Sequence, residues 1–143
     1  MVSTQEYMSS VDDIMSDYLD DGEIAVYFET TQEAKHHLKT IRLKQKQLRM
    51  VKKDVKHSMK IIRSSFTAKS AEVGKPSLKT GFMSGLIGKK KAGKLNALTK
   101  ESLRRQRDDM LEPYDSVVHR IDSFLLSFDN LKLQLDKWLL DNK

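Results

Sequence analysis

Apolar residues recur at helical spacing in three stretches of the chain. In the first, residues 3–20, Tyr7, Val11, Ile14, Met15, Tyr18 and Leu19 form one stripe, with Asp12, Asp13, Asp17 and Asp20 on other faces. Steps of three and four predict an amphipathic helix, with Ser9 or Ser10 able to cap a shorter version and Gly22 as its stop. The apolar run Ile24-Ala25-Val26-Tyr27-Phe28 is short enough for a strand, but no second strand-like run is evident to pair with it. A lone strand leaves its backbone groups without partners, so the run reads as a packed connector or as the first turn of the next helix.

The second stretch opens on Thr30 and Glu33. This is a capping box, in which the hydroxyl accepts from the N3 amide and the carboxylate reaches back to the start of the helix. From there Ala34, Ile41, Leu48, Val55 and Ile62 recur every seven residues, with Leu38, Gln45, Lys52, Met59 and Phe66 four positions on. No Gly or Pro interrupts the pattern before Gly74, so a helix is expected over residues 31–72, roughly 60 Å long at 1.5 Å per residue. Its narrow seam, interrupted by Gln45 and Lys52, needs a partner helix. The third stretch, residues 99–140, starts from a cap at Asn96 or Thr99. Its seam reads Leu111, Tyr114, Val118, Ile121, Leu125, Phe128, Lys132, Leu135 and Leu139, flanked by Val117, Phe124, Leu131 and Trp138. Pro113 is expected to kink this helix or to start its second half. Between the long helices, residues 74–98 hold five of the six glycines, Pro76 and three consecutive lysines, which predicts a Gly/Lys-rich connecting loop. The expectation is therefore a single all-α domain over residues 1–143. A long antiparallel, coiled-coil-like hairpin carries a shorter acidic helix, and its leftover stripe favours a homo-dimer.

Charge sharpens this picture. The net +6 of the 143 residues separates into −9 over residues 1–34, +19 over residues 35–107 and −4 over residues 108–143. Such asymmetry calls for an electrostatic partner, either an acidic protein surface or the chain's own N-terminal arm. The arm's apolar stripe is expected to hold it on the basic helix while its charges orient it, partly masking that helix within one chain or across a dimer. The surfaces singled out are Lys52, Lys53, Lys56 and Lys60 of the basic helix, and Arg104 and Arg105 before Asp108 and Asp109. To these the loop adds Phe82, Leu86 and Ile87, which are followed by Lys89, Lys90, Lys91 and Lys94. The apolar loop residues are expected to cover the open end of the hairpin, and also suit a partner's groove or an anionic lipid surface. Arg104–Asp108 and Arg105–Asp109 have the i,i+4 spacing of helix-surface ion pairs. The expected role is a non-enzymatic interaction or adaptor protein. The alternative is a sequence-independent binder of nucleic acid or anionic membrane through the same lysines.

Catalytic and metal motifs are incomplete. With no cysteine, the chain holds no thiolate metal site and no thiol nucleophile. Gly88 to Lys94 spells G-x-x-x-x-G-K, but Leu95 stands where a Ser or Thr would hold magnesium, and no strand precedes it. The acidic run from Asp17 fails as a calcium loop, with Leu19 at its third position and Phe28 at its twelfth. Neighbouring His36 and His37 diverge by about 100° on a helix and do not make a chelating pair. His119 has Asp115 and Ser123 within a turn, but a helical serine lacks free amides for an oxyanion. No cofactor or enzymatic activity is expected. No run approaches the roughly 18 apolar residues of a membrane span, and the acidic start lacks the basic residues of a targeting peptide, so a cytoplasmic chain is expected.

Overall fold

The computed structural model describes residues 2–73 and 89–142. Its elements are α1 (Thr4–Met15), β1 (Leu19–Asp20), β2 (Glu23–Ile24), α2 (Thr31–Val73) and α3 (Lys89–Asp141), and the chain is all-α apart from the two-residue strands. Contacts divide it into two compact units. One comprises Met1–Lys56 with Tyr114–Lys143, the other His57–Pro113.

In the first unit α2 and α3 run antiparallel. Gln45 meets Asp129 and the carbonyl of Leu125, whereas Lys52, seven residues later, meets Asp122, seven residues earlier. The apolar positions of the expected α2 seam are buried: Ala34, Ile41, Leu48 and Val55 are fully enclosed, with Leu38 and Gln45 beside them, while Lys52 is half-buried. On α3 a heptad row of Tyr114, Ile121, Phe128 and Leu135 is buried. Between those positions Val117 rather than Val118 takes the buried place, while Leu125, Lys132 and Leu139 are half-exposed. In the second unit Ser58, Met59, Ile62, Phe66 and Leu111 are buried.

The N-terminal arm differs in detail from its expected form. α1 is capped by Ser3, whose Oγ accepts from the Glu6 amide at 3.2 Å, while Ser10 instead donates to the Glu6 carbonyl. The helix stops at Met15, because Tyr18 to Ile24 form a hairpin that sequence patterning did not reveal. Leu19 pairs with Ile24 and Asp20 with Glu23 around Asp21 and Gly22. Both turn residues have positive φ, 51° and 82°, the geometry of a two-residue type I′ turn for which Asp-Gly is a favoured sequence. Residues 24–28 therefore split between a short strand and a connector, and the strand's partner lies just upstream. The Thr30 cap of α2 forms as expected, accepting from the Glu33 amide at 3.1 Å. The Glu33 carboxylate reaches one residue further back than anticipated, to the Glu29 amide at 2.8 Å.

α3 begins at Lys89, ten residues before its expected start at Thr99. Lys, Ala and Leu favour helix, and the single Gly93 costs only about 1 kcal/mol against Ala, too little to stop propagation from a packed helix. Pro113 lies inside α3, where its missing amide removes one i→i−4 bond, and the boundary between the two units falls there. Among the described residues no helix is long and apolar enough to cross a membrane.

Candidate functional site

The first unit organises its charges by their offset from the buried seam. A residue one position after a seam residue lies about 100° round the helix from it, and a residue one position before lies about 100° the other way. The positions after the α2 seam are Lys35, Lys39, Arg42, Lys46, Arg49, Lys53 and Lys56. All seven are exposed, and none makes an ion pair among the described residues. The positions before the seam include His37 and Lys44, which bond to Tyr18 and Ile14 of the N-terminal arm, and half-buried Val51.

The same rule sorts α3. After each member of its buried row stands an aspartate: Asp115, Asp122, Asp129 and Asp136, all exposed. Before Ile121 stands Arg120, which pairs with Asp12 of α1 at 3.0 Å. Two flanks result. One carries the arm. The other carries the cationic row of α2 beside the aspartate row of α3, joined by Lys52–Asp122 at 2.6 Å and Gln45–Asp129 at 2.8 Å. The hydrogen bond from Gln45 holds the Asp129 carboxyl below its ordinary range, and Lys132 and Arg49 add to the effect.

Apolar burial anchors the arm. Tyr7, Val11, Met15 and Tyr18 are buried, with Tyr7 edge-on to Tyr114 and Tyr18 edge-on to Phe128. Burial raises the pKa of the Tyr18 phenol. Lys44, itself buried, donates to the Ile14 carbonyl at 2.7 Å in the last turn of α1 and pairs with Asp17 at 3.2 Å. It thus satisfies a carbonyl that a helix end leaves open and complements the helix dipole. His37 acts as a bridge. Its Nε2 donates to the Tyr27 carbonyl at 3.1 Å, so in the neutral ring Nδ1 accepts from the Tyr18 hydroxyl at 3.1 Å. Among the described residues the arm's ion pairs go to Lys44 and Arg120 and not to the exposed row, so the arm does not cover that row by pairing with it.

The residues singled out from sequence meet different fates. Lys53 and Lys56 belong to the row, but Lys52 is half-buried in the seam and committed to Asp122. Lys60 and Arg104 are exposed in the second unit. Arg105 pairs with Glu101 at 3.1 Å rather than with Asp109, and Asp108 pairs with Arg107 rather than with Arg104. Glu placed four residues before a cation is the favoured orientation on a helix. Lys89, Lys90, Lys91 and Lys94 lie on the helical backbone of α3 rather than in a loop. Phe82, Leu86 and Ile87 fall outside the described residues. Sequence reasoning missed Lys35, Lys39, Arg42, Lys46 and Arg49. Their signal was present as an unbroken four-three spacing one residue out of phase with the seam.

The described residues contain no group of three or more His, Asp or Glu able to hold a metal ion. A shallow groove of about 460 Å³ lies between the β-hairpin and α3, lined by Gly22, Ile24, Ser127 and Gln134 among others, with no clustered titratable groups. Comparison with family models, with curated proteins and with solved structures finds no match to this chain.

Proposed function

We propose that the chain is a non-enzymatic interaction protein that docks an acidic protein surface on the cationic row of α2. The observation that carries this reading is the row itself: seven exposed cations at helical spacing over residues 35–56, on the flank away from the arm. At 1.5 Å per residue the row extends about 32 Å, which matches a helix-sized acidic surface. Individual exposed pairs contribute only about 0–1 kcal/mol, so affinity would come from several pairs formed together and would fall with salt. A uniform cationic row of this length also favours a second reading, sequence-independent binding of a nucleic-acid backbone or an anionic membrane.

Three probes separate the readings: an acidic helical peptide, a DNA duplex of arbitrary sequence and phosphatidylserine vesicles, each titrated at several salt concentrations. The first reading expects tightest binding to the peptide. It also expects the triple variant Lys39→Glu/Arg42→Glu/Lys46→Glu to lose at least about tenfold in affinity, or 1.4 kcal/mol. Tighter binding of duplex or vesicle at equal salt would transfer the role to the second reading. Equal binding by variant and wild type would remove the row from the function.

A further inference from the structure

α3 carries a second stripe that no described residue of its own unit covers. Leu126, Leu133 and Leu140 recur every seven residues and are 63, 68 and 66% exposed. Isolated exposed leucines are ordinary, but these alternate with Asp122, Asp129 and Asp136 in an unbroken four-three rhythm. The stripe lies about 100° to 140° from the buried row of α3, on the same flank as the cations of α2. One flank of one unit thus displays an acidic, leucine-bearing helix beside a basic helix with long aliphatic stems. Each is the chemical complement of the other.

We infer that the acidic surface received by the cationic row is the Asp/Leu stripe of α3 in a second copy of this chain, giving a two-fold symmetric dimer through this flank. The inference rests on the row being a docking surface and names its partner. Two symmetric face-to-face arrangements keep the helices of the two copies aligned along their length. A two-fold axis across the helices would lay α2 on α2, cation on cation, and charge rejects it. An axis parallel to the helices lays α2 of each copy over α3 of the other. The Gln45–Asp129 and Lys52–Asp122 contacts show which residues of the two helices are level, and this second operation preserves that level. Lys39 and Arg42 of one copy then sit opposite Leu133 and Asp136 of the other. The methylene stems cover the leucine while the charged heads meet the carboxylate, and the contact forms twice in a closed assembly.

A charge exchange tests this on the full chain by sedimentation velocity, at low and at physiological salt and at concentrations on the order of 100 µM, where a micromolar Kd leaves mostly dimer. Wild type is expected to be dimeric, more so at low salt. The variants Lys39→Glu/Arg42→Glu and Leu133→Lys/Asp136→Lys are each expected to be monomeric, because both of their contacts oppose like charges. Their equimolar mixture is expected to form heterodimers, since one contact is then wild type and the other fully reversed. All four positions are exposed or lie outside the buried core, and circular dichroism checks that the variants keep their helix. A monomeric wild type overturns the inference, as does a mixture that stays monomeric while wild type dimerises. Peptide capture by a monomeric wild type would leave the cationic row standing as a docking surface and remove only the second copy as its partner.

Discussion

Gln45 is the residue on which the polar interior of the first unit turns. It is 1% exposed, yet its amide donates to the Leu125 carbonyl at 3.3 Å and to Asp129 Oδ1 at 2.8 Å. A polar residue at a seam position sacrifices burial energy and in return restricts which residues of the partner helix can lie opposite. Replacing it with Ala leaves a space and removes both bonds, for an expected loss of about 1–3 kcal/mol in urea unfolding. The loss should depend on pH with a definite sign. Asp129 has its pKa lowered in the folded state, so its contribution is present above the ordinary carboxylate range and disappears as pH falls through the folded value. The stability gap between wild type and Gln45→Ala should therefore narrow in acid. A gap that stays constant from neutral pH to about pH 3 would show that Asp129 adds nothing to it.

At the scale of elements, the arm is a helix and a hairpin held by apolar contacts and trimmed by ion pairs. Val11 and Met15 are fully enclosed, whereas Asp12 and Asp17 are largely solvated partners of Arg120 and Lys44. Val11→Ala or Met15→Ala should cost about 1–4 kcal/mol through lost burial and the cavity left behind. The double change Asp12→Asn/Asp17→Asn should cost less than either, under about 1 kcal/mol per pair, since both carboxylates are largely solvated and buried Lys44 keeps its bond to the Ile14 carbonyl. Chemical denaturation of the four proteins ranks them, and a larger loss from the aspartate changes would reverse the order argued here. The helical stripe of this arm was legible in the sequence because a four-residue step survives any context. Its hairpin was not, because two-residue strands have no periodicity to detect. Only the Asp21-Gly22 pair marked it.

For the whole molecule, the split between an acidic start and a basic middle suggests an arm lying over the cations. The structure distributes the charges differently. The arm occupies one flank, and the seven cations of α2 face out from the other, beside four aspartates of α3. Deleting residues 1–22 would be a poor probe of masking, because it removes four core side chains, Tyr7, Val11, Met15 and Tyr18. Changing Asp12, Asp13 and Asp17 to Asn keeps the core and alters only the field. At physiological salt the Debye length is about 8 Å, less than the width of the helix that separates the flanks. The triple change should therefore raise affinity for an acidic peptide at low salt and leave it within about twofold at physiological salt. A strong gain that persists at physiological salt would place the arm over the row after all.

What the sequence determined by itself were the features that repeat: three helices, the α2 seam down to individual positions, its Thr30 cap and the charge of each block. Heptad spacing and capping chemistry are local, so they survive without knowledge of what packs where. Tertiary structure decided which side of each helix meets which partner. The rows one residue after the seams were written in the sequence, but nothing local distinguishes a row facing solvent from one covered by another segment. Lys44 and Lys46 are alike in composition and two residues apart. The arm buries the first against Ile14 and Asp17 and leaves the second exposed, because about 200° of helix separates them.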